Sequence, residues 1–171
     1  MTRIYAIIQY VKLYLYPQAE DIHGKESKII NLYIDKSGAL YGAPFGKSKK
    51  YGMRPIDRLF LLMPGYTDEM LCEFVNRVFD CCGSEEAKDD MPTSIQTYLK
   101  AKSYKEAIQN LGLLVGFYAE NEGYVFTPAK NTGEGFTLGD EPVEVRPDCT
   151  RKEMAKKLKA AITAVHIGKE D

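Results

Sequence analysis

Two stretches of this chain carry apolar residues at a helical spacing, and most of the rest alternates or runs apolar as strands do. From Thr67 to Cys82 the apolar residues Leu71, Phe74, Val75, Val78, Phe79 and Cys82 recur at i, i+3, i+4, i+7, i+8 and i+11, the stripe of a helix with one buried face. Pro64-Gly65-Tyr66-Thr67 opens it. Thr67 can cap it, Asp68 and Glu69 suit its positive end, and Gly83 can end it. A second helix is predicted over Thr150 to Val165, with Met154, Leu158, Ile162 and Val165 inward and Lys152, Lys156 and Lys159 in water. Thr150 with Glu153 makes a capping box there, and Ser103 with Glu106 makes another for a short helix ending near Gly112. Pro92 to Ala101 is a further short helix.

The strands are read from β-branched and aromatic runs bounded by turn residues. Ile4 to Tyr16 is a long Tyr-rich strand ended by Pro17, followed by a polar loop to Lys28. Ile29 to Ile34 and Ala39 to Phe45 flank Asp35-Lys36-Ser37-Gly38, a hairpin turn with glycine where positive φ is needed. Asp57 to Met63 is an apolar run read as one strand. Leu113 to Ala119 and Tyr124 to Thr127 form a second hairpin around Glu120-Asn121-Glu122-Gly123. Asn131 to Gly139 is a glycine-rich loop with a short strand near Phe136, and Val143 to Arg146 is the last strand. Strand and then Pro-x-x-Thr opens a helix twice, at Leu62-Met63-Pro64 to Thr67 and at Val145-Arg146-Pro147 to Thr150. The fold class that follows is α/β of the α+β kind: a single domain over residues 1–171, a mostly antiparallel sheet packed against about four helices, with 166–171 a frayed tail.

Charge adds a second pattern. The 171 residues carry a net charge of only −1, yet the charges are sorted. Thr67 to Met91 holds eight acids against Arg77 and Lys88, a net −6. Glu120 to Asp148 holds seven against Lys130 and Arg146, a net −5. Opposing them are Lys36, Lys47, Lys49, Lys50, Arg54 and Arg58 and the basic last helix. A sorted surface can steer a charged partner at near-zero net charge, while the plainer reading is a set of solvated faces. A pI near 6.2 argues against nucleic-acid binding, which needs a clear basic excess.

Catalytic signals are thin. Adjacent Cys81 and Cys82, with Cys72 and Cys149, form no Cys-x-x-Cys and no zinc pattern, so reduced thiols and no metal are expected. The two histidines, His23 and His166, lack motifs that would orient them. Gly46-Lys47-Ser48 resembles only the tail of a phosphate loop, and no cofactor is implied. The carboxylate pairs Glu85-Glu86 and Asp89-Asp90 lie in what reads as a polar linker, where acids keep ordinary pKa values and suit pairing with another protein's Arg and Lys. The N-terminus lacks signal-peptide grammar and falls short of a membrane span, so a cytoplasmic protein without membrane contact is expected.

The order of these motifs resembles a known family. Leu62 to Leu71 opening a helix is followed by Lys102-Ser103-Tyr104-Lys105-Glu106-Ala107, then Leu113 to Val115, Gly123-Tyr124-Val125-Phe126-Thr127-Pro128 and the closing helix. Over Ile56 to Val165 this is similar to the CdiI-type immunity proteins of bacterial contact-dependent growth inhibition systems. The resemblance implies a non-enzymatic cytoplasmic protein that neutralises the C-terminal toxin domain of a CdiA-type protein, a nuclease and in particular an RNase. The charge pattern then nominates Asp80, Glu85, Glu86, Asp89 and Asp90, with Glu120 and Glu122, as contacts to a basic toxin cleft. Two other classes stay open: an adaptor or small-ligand module with a Tyr-lined pocket, and an enzyme that places His23 or His166 beside Cys149 or a carboxylate.

Overall fold

The computed structural model describes residues 27–90 and 92–170, so the expected strand from Ile4 to Tyr16, its following loop and His23 lie outside the described residues. In chain order the elements are β1 (Ser27–Ile34), β2 (Leu40–Lys47), β3 (Met53–Pro55), β4 (Phe60–Leu62), α1 (Asp68–Asp80), α2 (Ser94–Tyr98) and α3 (Tyr104–Ile108). They continue with β5 (Gly112–Ala119), β6 (Gly123–Asn131), β7 (Phe136–Leu138), β8 (Val143–Val145) and α4 (Arg151–Thr163). The strands form one sheet in the order β3-β2-β1-β5-β6-β7, with β4 also on β2 and β8 also on β6. Every strand pair is antiparallel. The expected α+β architecture is present.

Alternation makes the four long strands two-sided. Ile30, Leu32, Ile34, Leu40, Leu114 and Phe126 point to one face, where they meet Leu71, Phe74, Val75, Val78 and Phe79 of α1 and Met154, Ala155, Leu158 and Ala161 of α4. The residues between them, including Ile29, Tyr33, Tyr41, Phe45, Leu113, Val115, Phe117 and Val125, point to the other face, beside Ile95 of α2 and Ile108 of α3. Both faces are buried, which is why these strands read as apolar runs instead of an apolar-polar alternation. Gly42 and Gly116 let α1 settle close: a Cβ at Gly42 would lie 2.5 Å from Val78 Cγ2, and one at Gly116 would lie 2.8 Å from Ile30 Cγ1 and 3.1 Å from Phe79 Cζ.

Several boundaries differ from the sequence reading. The Asp57 to Met63 strand is reduced to Phe60–Leu62, with Leu61 42% and Met63 62% exposed. Unforeseen β3 precedes it, and both pair with β2, which has an outer edge long enough for two short partners. Helix α1 stops at Asp80 with Cys81 as C-cap, and Gly83 turns the chain away at φ +71°. Thr67 and Thr150 both cap their helices, and the Thr150–Glu153 box is complete. The Ser103 box is not: Ser103 Oγ accepts from the Glu106 N–H at 3.1 Å, but Glu106 Oε2 accepts from the Lys102 N–H at 2.6 Å. Beyond α4, in the stretch expected to fray, the Gly168 N–H donates to Leu111 O at 3.1 Å and the Glu170 N–H to Asn131 O at 3.0 Å.

Candidate functional site

Much of the charge sorting is resolved inside the molecule. Lys159 pairs with Asp68 at 2.6 Å, and Arg151 pairs with Glu69 at 3.0 Å and Glu73 at 3.8 Å, joining α4 to α1. Residues 84–90, which read as a free acidic linker, form a strap on the basic loop that follows β2. Buried Ala87 anchors it: its N–H donates to Lys47 O at 3.0 Å, beside a parallel bridge to Ser48. Along the strap Glu85 faces Arg58 at 3.9 Å, Glu86 faces Lys49 at 3.6 Å, and Lys88 meets Asp57 at 2.8 Å. Asp89 Oδ1 accepts the Lys50 N–H at 3.0 Å, and the Arg54 guanidinium donates to the Asp89 carbonyl. Residues 47–58 and 85–90 together hold six basic and five acidic side chains, so the strap's carboxylates sit in a nearly neutral neighbourhood. Exposed pairs of this kind contribute little net stability, and each can be exchanged for a partner's cation.

Antiparallel register gathers the remaining acids. The start of β1, the end of β2, the end of β5 and the start of β6 lie at one end of the sheet, because Ile30 faces Pro44, Ser27 faces Ala119 and Ala119 faces Gly123. This end carries the strap with Glu85, Glu86, Asp89 and Asp90 at one side and the β5–β6 turn with Glu120 and Glu122 at the other. Three strand spacings, about 14 Å, separate the two sides. Asp80 stands where α1 ends, at the negative end of the helix dipole. Among the described residues no hydrogen bond or ion pair engages the carboxylates of Asp80, Asp90, Glu120 or Glu122.

Past the end of α1 one row of the helix-side face is left half-covered. Lys28, Tyr118, Tyr124 and Val145 are successive cross-strand partners on β1, β5, β6 and β8. The rings of Tyr118 and Tyr124 lie 4.8 Å apart at 43°, and both lean on Phe79, at 6.2 and 5.4 Å. The Lys28 ammonium sits 5.9 Å above the Tyr118 ring centre. Burial first, then the neighbouring Tyr118, and after it Cys149 and Asp80, push the Tyr124 phenol above its ordinary pKa. A half-buried tyrosine pair at the same end of the sheet as unpaired carboxylates combines the aromatic and polar groups that protein-recognition surfaces use. These tyrosines read in the sequence as strand residues; only the register shows that they flank the free acids.

Other candidate groups are placed differently. Burial pushes the Cys82 thiol up to about 11, and raises Cys72 and Cys149 as well; protonated thiols are poor nucleophiles. Cys149 and His166 bracket α4, whose thirteen residues put about 20 Å between them, so they cannot form a pair. His166 is exposed and lines an open cleft of 570 Å³ with Lys130, Thr132 and Glu170. Gly46-Lys47-Ser48 ends β2, and Gly46 makes room for the strap: a Cβ there would lie 2.6 Å from the Glu85 carbonyl. Among the described residues no three His, Cys, Asp or Glu side chains group as metal ligands, and no helix is long and apolar enough to cross a membrane.

No protein-family model matches the chain, and no curated protein matches it. Two of the solved structures that share its fold illustrate the likeness. One is a protein of unknown function from Neisseria meningitidis, 12% identical, with a TM-score of 0.61 over 86% of this chain and all of that one. The other is a chain of the CdiA-CT/CdiI toxin and immunity complex from Yersinia pseudotuberculosis, 12% identical, with a TM-score of 0.57 over 81% of this chain and 97% of that one.

Proposed function

We propose that this chain is an immunity protein: it binds the toxic C-terminal domain of a CdiA-type protein and blocks it by protein–protein contact, with no bond-making of its own. The observation that carries this reading is the fold shared with nearly a whole chain of a toxin and immunity complex, in a molecule whose sequence motifs resemble the immunity partner of such pairs. The toxin on this reading is a nuclease, because a cleft that binds phosphates is basic and suits a carboxylate rim. The protein works in the bacterial cytoplasm, where an incoming nuclease meets its substrate. Asp80, Asp90, Glu120 and Glu122 are the leading contacts, since among the described residues no hydrogen bond or ion pair engages their carboxylates. Glu85, Glu86 and Asp89, which have partners within the chain, extend the same rim as secondary contacts.

The test is co-expression with the toxin domain encoded beside this gene. Growth is expected to be restored, the two proteins to co-purify, and the association rate to fall as salt rises. A toxin domain that neither binds the chain nor is restrained by it overturns the reading.

A further inference from the structure

The row Lys28–Tyr118–Tyr124 is more specific than a negative rim. Its two rings form a ledge just beyond the end of α1, flanked by Asp80 on the helix and by the Glu120–Glu122 turn below. The ledge already holds a cation, the molecule's own Lys28, with the ammonium 5.9 Å from the ring centre. That distance is at the outer limit of a cation–π contact, where the attraction is weak. No carboxylate closes on Lys28 among the described residues, so the ammonium is held loosely.

We propose that this ledge is the anchor for an arginine side chain of the toxin, and that Lys28 is a built-in stand-in for that side chain, displaced when the partner docks. The inference rests on the reading of the chain as a toxin-binding protein and adds the chemistry of the central contact. A planar guanidinium stacks on tyrosine while its N–H fork pairs with a carboxylate such as Asp80; an ammonium presents a compact charge that can do only one of these well. Tyrosine and arginine dominate the strongest contacts of protein interfaces, and they do so where flanking groups exclude water. Phe79 supplies that dry backing under both rings. Removing Lys28 vacates the ledge, so the wild-type lysine lowers affinity and favours partners able to compete it away.

The experiment measures binding of fluorescent oligo-arginine and oligo-lysine peptides of equal length to the full chain, and in parallel binding of the toxin domain. Oligo-arginine is expected to bind more tightly than oligo-lysine. Asp80→Asn and Tyr124→Leu should each weaken it by about three- to tenfold, and Lys28→Met should tighten it by about two- to threefold. Lys36→Met, which removes the same charge from the exposed turn at the far end of β1, should change binding less than Lys28→Met. Equal binding of the two peptides, or equal effects of the two lysine variants, overturns the anchor. The exposed Asp80 and the half-buried Lys28 keep the test decisive if Tyr124→Leu fails to fold. Toxin binding that ignores Asp80→Asn and Lys28→Met sinks the anchor and leaves the immunity reading intact. A wild-type chain that prefers oligo-arginine but never binds toxin does the reverse.

Discussion

Asp35 accepts four hydrogen bonds at the first hairpin: from the Ser37 N–H at 2.8 Å, the Ser37 hydroxyl at 2.6 Å, the Ala39 N–H at 3.1 Å and the Tyr41 hydroxyl at 2.8 Å. Partial burial pushes its carboxyl up, but these bonds outweigh burial and hold it below the ordinary value. Burial and then Asp35 itself push the Tyr41 phenol up to about 12. A carboxyl with a depressed native pKa contributes stability that is present above its ordinary pKa, near 4, and is lost as pH falls through the native value. Asp35→Ala is therefore expected to cost about 1–3 kcal/mol at neutral pH, with the gap from wild type shrinking in acid. Urea unfolding at neutral and acidic pH checks both; a gap that widens in acid contradicts the assignment. This turn was readable in the sequence because Asp and Gly have local jobs there, with Gly38 at φ +87°. The cross-strand Tyr33–Tyr104 contact, with hydroxyls 3.0 Å apart across 71 residues, has no local signal at all.

At the scale of elements, α1 and the sheet are fitted to each other through two glycines. The helical stripe is legible because burying one face imposes a period near 3.6. The matching gap at Gly42 is not, since glycine in a strand signals equally a bulge or a close approach. A methyl group at Gly42 would lie within 3.2 Å of both Val78 methyls, so Gly42→Ala should destabilise by about 1–3 kcal/mol. Adding Val78→Ala should restore part of that loss, a coupling that thermal unfolding of the four-member cycle measures; strictly additive losses would show that the helix does not touch Gly42. The apolar run from Asp57 to Met63 illustrates the limit of composition. Its residues suit a strand throughout, but the strand β4 exists only where β2 has unpaired edge to offer, at Leu40 to Gly42. The two capping boxes make a similar point. Thr150 and Glu153 close on each other, whereas Glu106 takes the N–H one residue earlier, at Lys102.

For the whole molecule the decisive quantity is which charges stay unpaired. Of the eight acids between Thr67 and Met91, Asp68, Glu69, Glu73, Glu85, Glu86 and Asp89 have partners within the chain. The dense acidic stretch therefore projects less field than its sequence suggests, and the shorter Glu120–Glu122 turn projects more. Charge reversal of Glu120 and Glu122 to lysine should slow association with the toxin by about tenfold at low salt, within the range that steering supplies. The same reversal at Glu85 and Glu86 should slow it less, because it adds to a patch already balanced by Lys49 and Arg58. Stopped-flow association rates across ionic strengths test the ranking, and the opposite order would place the strap, not the turn, at the toxin.

The helices, the caps at Thr67, Ser103 and Thr150, both hairpins and the α+β class were legible in the sequence alone, because each rests on contacts within a few residues or on a repeat that burial imposes. The sequence also showed that charge is segregated along the chain. Only the tertiary structure decided which acids are neutralised, where β2 finds its edge partners, and that Lys28, Tyr118, Tyr124 and Asp80 share one end of the sheet. Those facts come from register and docking between residues dozens of positions apart, and no local pattern encodes a distance of that kind.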